Sequence, residues 1–160
     1  MRRFLLGSVV ALVAWAGFYV LPTAAQQQDN LSLGALITLS AQSGGTVNSP
    51  AQLNTGNSGA SCTFNQSGSS GSPSTVFSIQ FQDTASGLWQ SLVTSGAVTS
   101  TGPTTPVTVQ VYPGIEVSSL PSGVSAAQSF KLPRNWRVQA VVTASTNNYT
   151  TGTIGCDLLK

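Results

Sequence analysis

Apolar and polar residues alternate along several short stretches of this chain. In the stretch FSIQFQ, residues 77–82, every second residue is Phe or Ile and the others are polar. A period of two places these apolar side chains on one face of a β-strand. The following residues predict a turn, because Asp83 can accept backbone N–H bonds and Gly87 can adopt a positive φ. Trp89 and Leu92 then begin a returning strand.

Four further stretches carry apolar residues at the spacing of one strand face: Cys62 and Phe64; Val107, Val109 and Val111; Trp136, Val138, Ala140 and Val142; Ile154, Cys156 and Leu158. The segment Leu31–Ser40 alternates loosely and predicts either a first strand or the continuation of an N-terminal anchor. Residues 42–60 and 65–74 are rich in Gly, Ser, Asn and Gln, which favours loops.

This pattern predicts an all-β protein. About six to eight short strands separated by turn signals are typical of a single antiparallel β-sandwich or jelly-roll-like domain. We expect an N-terminal signal helix before it, residues 26–44 as an N-terminal strand or linker, and residues 45–160 as the sandwich.

The N-terminal segment has the pattern of a secretory signal peptide. Two arginines precede an apolar run from Phe4 to Leu21, and small residues follow. This predicts a signal peptide over residues 1–25, cleaved between Ala25 and Gln26. The alternative is an uncleaved anchor, because the apolar run is nearly long enough to span a bilayer. Either reading places the domain outside the cytoplasm, as a periplasmic or secreted protein.

Charged residues are scarce in the chain. They make up 6% of it, and histidine is absent. Cleavage would leave a chain with no net charge. Its four basic residues would be Lys131, Arg134, Arg137 and Lys160, and its four acidic residues Asp29, Asp83, Glu116 and Asp157. Such a chain has no basic patch for a nucleic-acid backbone, so we expect no nucleic-acid partner. We expect membrane contact only through an uncleaved N-terminal segment.

The residue types argue against an enzyme. Without histidine a Ser–His–Asp triad cannot form, and the commonest zinc ligand is missing. Asp83 and Glu116 are the candidates for a glycosidase-type carboxylate pair, but a turn-capping aspartate and a loop glutamate explain them better. We therefore predict no catalytic residues, no metal and no cofactor.

The two cysteines predict a disulfide. In an exported chain a lone pair of cysteines is usually bonded, so we expect Cys62 and Cys156 to link an early strand to the last one. The alternative is a reactive thiol, which needs a nearby base or cation.

Binding is the remaining class of function. Four aromatic residues form either a platform for sugar rings or part of the core: Trp89, Tyr112, Trp136 and Tyr149. Arg137 alternates with Trp136, so it should face away from the core, where it could pair with Asp83, Glu116 or a partner. Together with Arg134 it is the candidate surface contact.

Five motifs occur in order: GTVNSPAQLNTG (45–56), TVFSIQFQDTASGLW (75–89), VQVYPG (109–114), LPRNWRV (132–138) and YTTGTIGCDLL (149–159). Taken together, this series resembles small β-rich proteins encoded among the virion genes of tailed bacteriophages, which are structural or decorate the head. The resemblance covers residues 45–159.

The resemblance implies a non-enzymatic structural module that acts by surface docking or multivalent assembly. Its partner would be a capsid or cell-surface assembly, and it could also associate with itself as a homo-oligomer. If a phage encodes the protein, it would be located in the virion. The signal peptide and the cysteine pair depart from a capsid component assembled in the cytoplasm. The alternative is therefore an exported β-sandwich that binds carbohydrate or a cell-surface partner.

Overall fold

The computed structural model describes residues 31–99, 102–144 and 148–160. The predicted signal peptide and its Ala25–Gln26 cleavage site lie outside these residues. Within the described ranges, no helix has the length and apolar character needed to cross a bilayer.

The described chain forms eleven strands, numbered in chain order: β1 Leu31–Gln42, β2 Gly45–Asn48, β3 Gln52–Leu53, β4 Gly59–Ser70, β5 Ser74–Gln82, β6 Trp89–Thr94, β7 Val98–Thr99, β8 Val107–Val111, β9 Val124–Gln128, β10 Asn135–Thr143 and β11 Tyr149–Leu159.

The strands form two packed sheets. Sheet A has the order β1-β11-β4-β8-β9, and sheet B has the order β2-β10-β5-β6, with β3 also pairing with β10 and β7 with β5. The predicted all-β, sandwich-like architecture is confirmed. The expectation of purely antiparallel pairing is wrong at one place, since β8 and β9 run parallel.

The core lies between the inner faces of the two sheets. The predicted alternation is confirmed on β10, where Trp136, Val138 and Ala140 are fully buried. Sheet A contributes its own buried residues from four strands: Ile37, Leu39, Ala60, Cys62, Phe64, Val109, Val111, Ile154, Cys156 and Leu158. Phe64 of sheet A meets Phe77 of sheet B edge to face, with ring centroids 6.1 Å apart.

Several predicted loops are strands. Residues 42–60 contain β2, β3 and the start of β4, and β4 continues through Ser70 into the predicted 65–74 turn. These polar segments have low intrinsic β-propensity. They form strands because their backbones pair with β10 and β11, and this tertiary context overrides the propensity. The segment Leu31–Ser40 is the strand β1, paired with β11, rather than a continuation of an anchor.

The predicted turn between β5 and β6 is confirmed. The carboxylate of Asp83 accepts hydrogen bonds from the backbone N–H of Ala85 and Ser86, both at 3.2 Å, and from the Ser86 hydroxyl at 2.5 Å. Gly87 has φ +70°, a left-handed conformation that glycine adopts readily because it lacks a Cβ. The Ser86 hydroxyl and the Ala85 and Ser86 amides lower the pKa of Asp83 because they favour its charged form.

This turn predicts an acid-sensitive contribution to stability. Because the pKa of Asp83 is lower in the folded state, the contribution is complete above the unfolded-state pKa, near 4 for an aspartate. It is lost as pH falls through the folded-state value. We expect Asp83→Asn to flatten the loss of thermal stability below about pH 4, and Ser86→Ala to do so in part. Melting curves between pH 2 and 7 measure this; an acid limb in Asp83→Asn identical to the wild type would contradict it.

Candidate functional site

A continuous row of side-chain hydrogen bonds crosses the outer face of sheet B. It consists of Asn48, Gln139, Gln80 and Arg137, which we call the polar ladder. The Gln139 amide donates to Asn48 Oδ1 at 3.0 Å, and the Gln80 amide donates to Gln139 Oε1 at 3.0 Å. Arg137 Nε donates to Gln80 Oε1 at 2.9 Å. The ladder therefore joins β2, β10 and β5 through their outward side chains.

Strand register creates the ladder. Arg137 lies directly opposite Gln80, and Gln139 lies directly opposite Asn48. Opposed residues in an antiparallel pair share a face and lie close enough for side-chain contact. Gln80 is 5% exposed although it points away from the core, which shows how densely the outer side chains pack over β5.

Arg137 is the one charged member of the ladder. Its guanidinium carbon lies 4.4 Å from the centroid of the Trp89 ring, a cation–π contact. Partial burial lowers the pKa of Arg137, but an arginine keeps its charge at any physiological pH. Arg137 could have paired with Asp83 or Glu116, but in the structure its guanidinium contacts the Gln80 amide oxygen and the Trp89 indole.

This contact makes a prediction about stability. Arg137→Met keeps much of the side-chain length but removes the donor to Gln80 Oε1, leaving a buried acceptor unsatisfied. We expect a loss of about 1–3 kcal/mol in the free energy of unfolding, measured in urea. Arg134→Met is the matched control, because Arg134 is exposed, and should stay within about 0.5 kcal/mol of the wild type. Equal effects of the two substitutions would argue against the contact.

Arg134 belongs to a different surface, a shallow cleft of about 480 Å³ between the β5–β6 turn and the segment that precedes β10. Its apolar lining includes Phe81, Leu132 and the half-exposed Phe130. Lys131 and Arg134 supply two cations, and both lie in the segment that crosses from β9 of sheet A to β10 of sheet B. The two candidate arginines are therefore not brought together: Arg137 lies in the polar ladder and Arg134 in the cleft.

The four aromatic residues do not form one platform. Trp136 is fully buried in the core, which confirms the core alternative for this residue. Trp89 lies on the outer face of sheet B beneath Arg137. Tyr112 follows β8 and donates its hydroxyl to the carbonyl of Lys160, whereas Tyr149 begins β11 and is 39% exposed.

The two candidate carboxylates belong to different connecting segments of the fold. Asp83 lies in the β5–β6 turn of sheet B and Glu116 in the loop after β8 of sheet A. Both oxygens of Asp83 are engaged by its own turn. Across the described ranges, no group of three or more His, Cys, Asp or Glu side chains is arranged to hold a metal ion.

The predicted disulfide is confirmed. Cys62 and Cys156 lie directly opposite each other on β4 and β11, with Cα atoms 4.1 Å apart, and they are bonded. Both are buried. The bond ties two central strands of sheet A and makes the reactive-thiol alternative wrong.

Comparison with known proteins gives no identification. No protein-family model, no curated protein and no solved structure matches this chain at a significant level.

Sequence reasoning placed Arg137 on the surface but missed the ladder. The available signal was the recurrence of amide side chains at outward strand positions, as in Gln80 and Gln139. Only the pairing register shows that these amides meet.

Proposed function

We propose that this protein is a non-enzymatic structural module that docks onto a larger protein assembly, as the resemblance to phage decoration-type proteins implies. We place the docking surface on the outer face of sheet B. The proposed partner is a capsid or cell-surface assembly, and the proposed location of the protein is outside the cytoplasm or in the virion. The observation that carries the proposal is the polar ladder, with Arg137 stacked on Trp89 at its end.

The ladder has the properties of a docking surface. Its side chains are already fixed by hydrogen bonds to one another, so binding would immobilise few additional rotamers. Arg and Trp are among the residues that dominate binding energy at protein interfaces. An open sheet face also suits a protein surface better than a small ligand, which is normally enclosed in a pocket.

The low charge of the chain points to weak single contacts. With one cation on the ladder, little electrostatic attraction is available, so affinity per copy rests on shape and hydrogen bonds. Many copies on a repeating surface gain strength through avidity. This is how a neutral, hydroxyl-rich module can hold to a capsid or envelope without a deep pocket.

Glycan binding is the second candidate, and the Trp89 indole among ladder amides is the observation that favours it. Indole faces stack on apolar ring faces, and amides bond hydroxyl groups. Arg137 covers one face of Trp89, however. A sugar ring would have to use the other face or displace the guanidinium, which makes this candidate the weaker of the two.

One experiment separates the two candidates. The purified full chain is tested for saturable binding to intact virions or cell envelopes from the source that encodes it, and in parallel on a glycan array. We expect binding to the assembled particles that survives an excess of free glycans. The glycan-binding module would be favoured if the protein bound a glycan on the array and the free form of that glycan abolished binding both to the array and to the particles.

A further inference from the structure

The cleft beside the β5–β6 turn holds two cations without partners. Lys131 and Arg134 both line it, and both are exposed. Within the described residues, neither side chain has an ion-pair or hydrogen-bond partner. Asp83 lines the same cleft, but its carboxylate accepts three hydrogen bonds from its own turn. With two cations and one acid, the cleft carries a net charge of +1.

The cleft also exposes apolar surface. Phe130 lines it and is 50% exposed, and Phe81, Leu132 and Pro133 complete the apolar lining. Exposed apolar surface beside unpaired cations is typical of an interaction site. The occupant that matches both features carries an apolar side chain next to a carboxylate.

The loop after β8 presents this combination. Glu116 is exposed, its carboxylate has no partner among the described residues, and its neighbour Val117 is 56% exposed. Backbone hydrogen bonds of 3.3 Å fix the loop on both sides of Glu116: the Ile115 N–H donates to the Tyr112 carbonyl, and the Ser119 N–H donates to the Glu116 carbonyl. A loop that is already held in turns loses little conformational freedom when it binds.

The other described acids do not match the cleft. The carboxylate of Asp83 is engaged by its own turn. Asp157 is exposed on β11, opposite Ser61, but both of its chain neighbours are buried: Cys156 is 2% exposed and Leu158 is 4% exposed. Glu116 is therefore the described acid that offers an apolar side chain together with a free charge.

We propose that two copies of this chain associate by inserting the Glu116–Val117 tip of each loop into the cleft of the other. In this pair the carboxylate of Glu116 lies between Lys131 and Arg134, and Val117 packs against Phe130. The contact pairs charges that are unpaired within one chain and covers two exposed apolar side chains. The polar ladder takes no part in it, so self-association can be tested apart from docking.

The positions of the loop and the cleft favour a closed pair. The Gly114 N–H donates to Ser129 Oγ at 3.0 Å, and Phe130 of the cleft follows directly in the chain. The loop and the cleft are therefore neighbours on one surface. In a two-fold arrangement such a surface faces its own copy, and each loop–cleft contact is made twice.

A charge exchange tests the pair. Glu116→Lys and the double variant Lys131→Glu/Arg134→Glu are each made in the full-length chain. Either variant alone places like charges at both contacts, so neither should self-associate. An equimolar mixture should associate, because the lysine loop of one variant meets the acidic cleft of the other, while the native loop meets the native cleft. Unfolding of a variant could not be restored in this way by mixing.

Sedimentation velocity at protein concentrations up to about 1 mM measures the association. We expect wild-type dimers, a dimerisation constant weakened at least tenfold in each variant alone, and recovery in the mixture. Raising the salt from about 0.1 M to about 1 M should also weaken the wild-type dimer, because it shortens the Debye length from about 10 Å to about 3 Å. Asp157→Lys is the matched control: it makes the same change of charge on another face and should associate as the wild type does.

Two results would overturn the proposal. One is a wild-type protein that stays monomeric at every concentration; if Lys131→Glu/Arg134→Glu then also lost binding to virions or envelopes, the cleft would take an acidic segment of the partner and not a second copy. The other is a dimer that both charge variants form as readily as the wild type, which would place the contact on another face.

Discussion

Replacing Trp136 with alanine is expected to destabilise the fold by about 3–5 kcal/mol, the range for removing a large aromatic side chain from a core. Trp136 is fully buried and lies opposite Phe81 of β5. The substitution removes apolar contacts and leaves a cavity that a sandwich of hydrogen-bonded strands cannot easily close. Denaturation in urea, followed by far-ultraviolet circular dichroism, measures the loss.

The indole N–H provides a matched control. Trp136 Nε1 is buried without a hydrogen-bond partner, so the residue contributes through its apolar volume and not through its polar atom. Trp136→Phe keeps most of that volume and removes the unsatisfied donor. We expect it to retain more than half of the stability that Trp136→Ala loses. If phenylalanine cost as much as alanine, the role assigned to packing would be wrong.

Removing the disulfide is the second large effect. The bond joins residues 94 positions apart, and closing a loop of that length restricts the unfolded chain by an amount worth about 4–5 kcal/mol in the chain-entropy model. The double substitution Cys62→Ala/Cys156→Ala should lower the free energy of unfolding by about 2–5 kcal/mol, the range found when a native disulfide is removed from a small domain. Comparing urea unfolding of this variant with the wild type measures the loss.

Burial of the sulfurs adds a kinetic expectation. Cys62 is fully buried and Cys156 is 2% exposed, so a reductant reaches the bond only when the fold opens. The native protein should therefore keep its disulfide in dithiothreitol until denaturant is added. Rapid reduction under native conditions would show that β4 and β11 separate far more readily than their central place in sheet A implies.

Features with local causes could be predicted from the sequence. The period-two faces of β5, β8, β10 and β11 follow from side-chain alternation alone. The turn at Asp83–Gly87 follows from residue types with defined backbone roles. The disulfide follows from the parity of two cysteines in a chain whose N-terminal pattern predicts export.

Features that depend on pairing could not be predicted. β2 and β3 are short and polar, and they exist because β10 offers backbone partners. The parallel pairing of β9 with β8 reflects the path of the chain and not its composition. The polar ladder requires knowing that Gln80 lies opposite Arg137, which a single sequence does not specify.

The measurement that tests the docking claim most directly compares two matched glutamines. Gln139 donates to Asn48 on the outer face of sheet B at 3.0 Å, and Gln110 donates to Ser61 on the outer face of sheet A at 3.2 Å. Both are half-buried, so alanine removes the same group from comparable settings. Binding of each full-length variant to intact virions or envelopes is measured as a function of concentration.

We expect Gln139→Ala to weaken binding at least tenfold, since avidity multiplies a small loss in each contact, while Gln110→Ala binds as the wild type does. Circular dichroism confirms that both variants are folded. Equal binding by the two variants, or loss only in Gln110→Ala, would contradict docking through the outer face of sheet B.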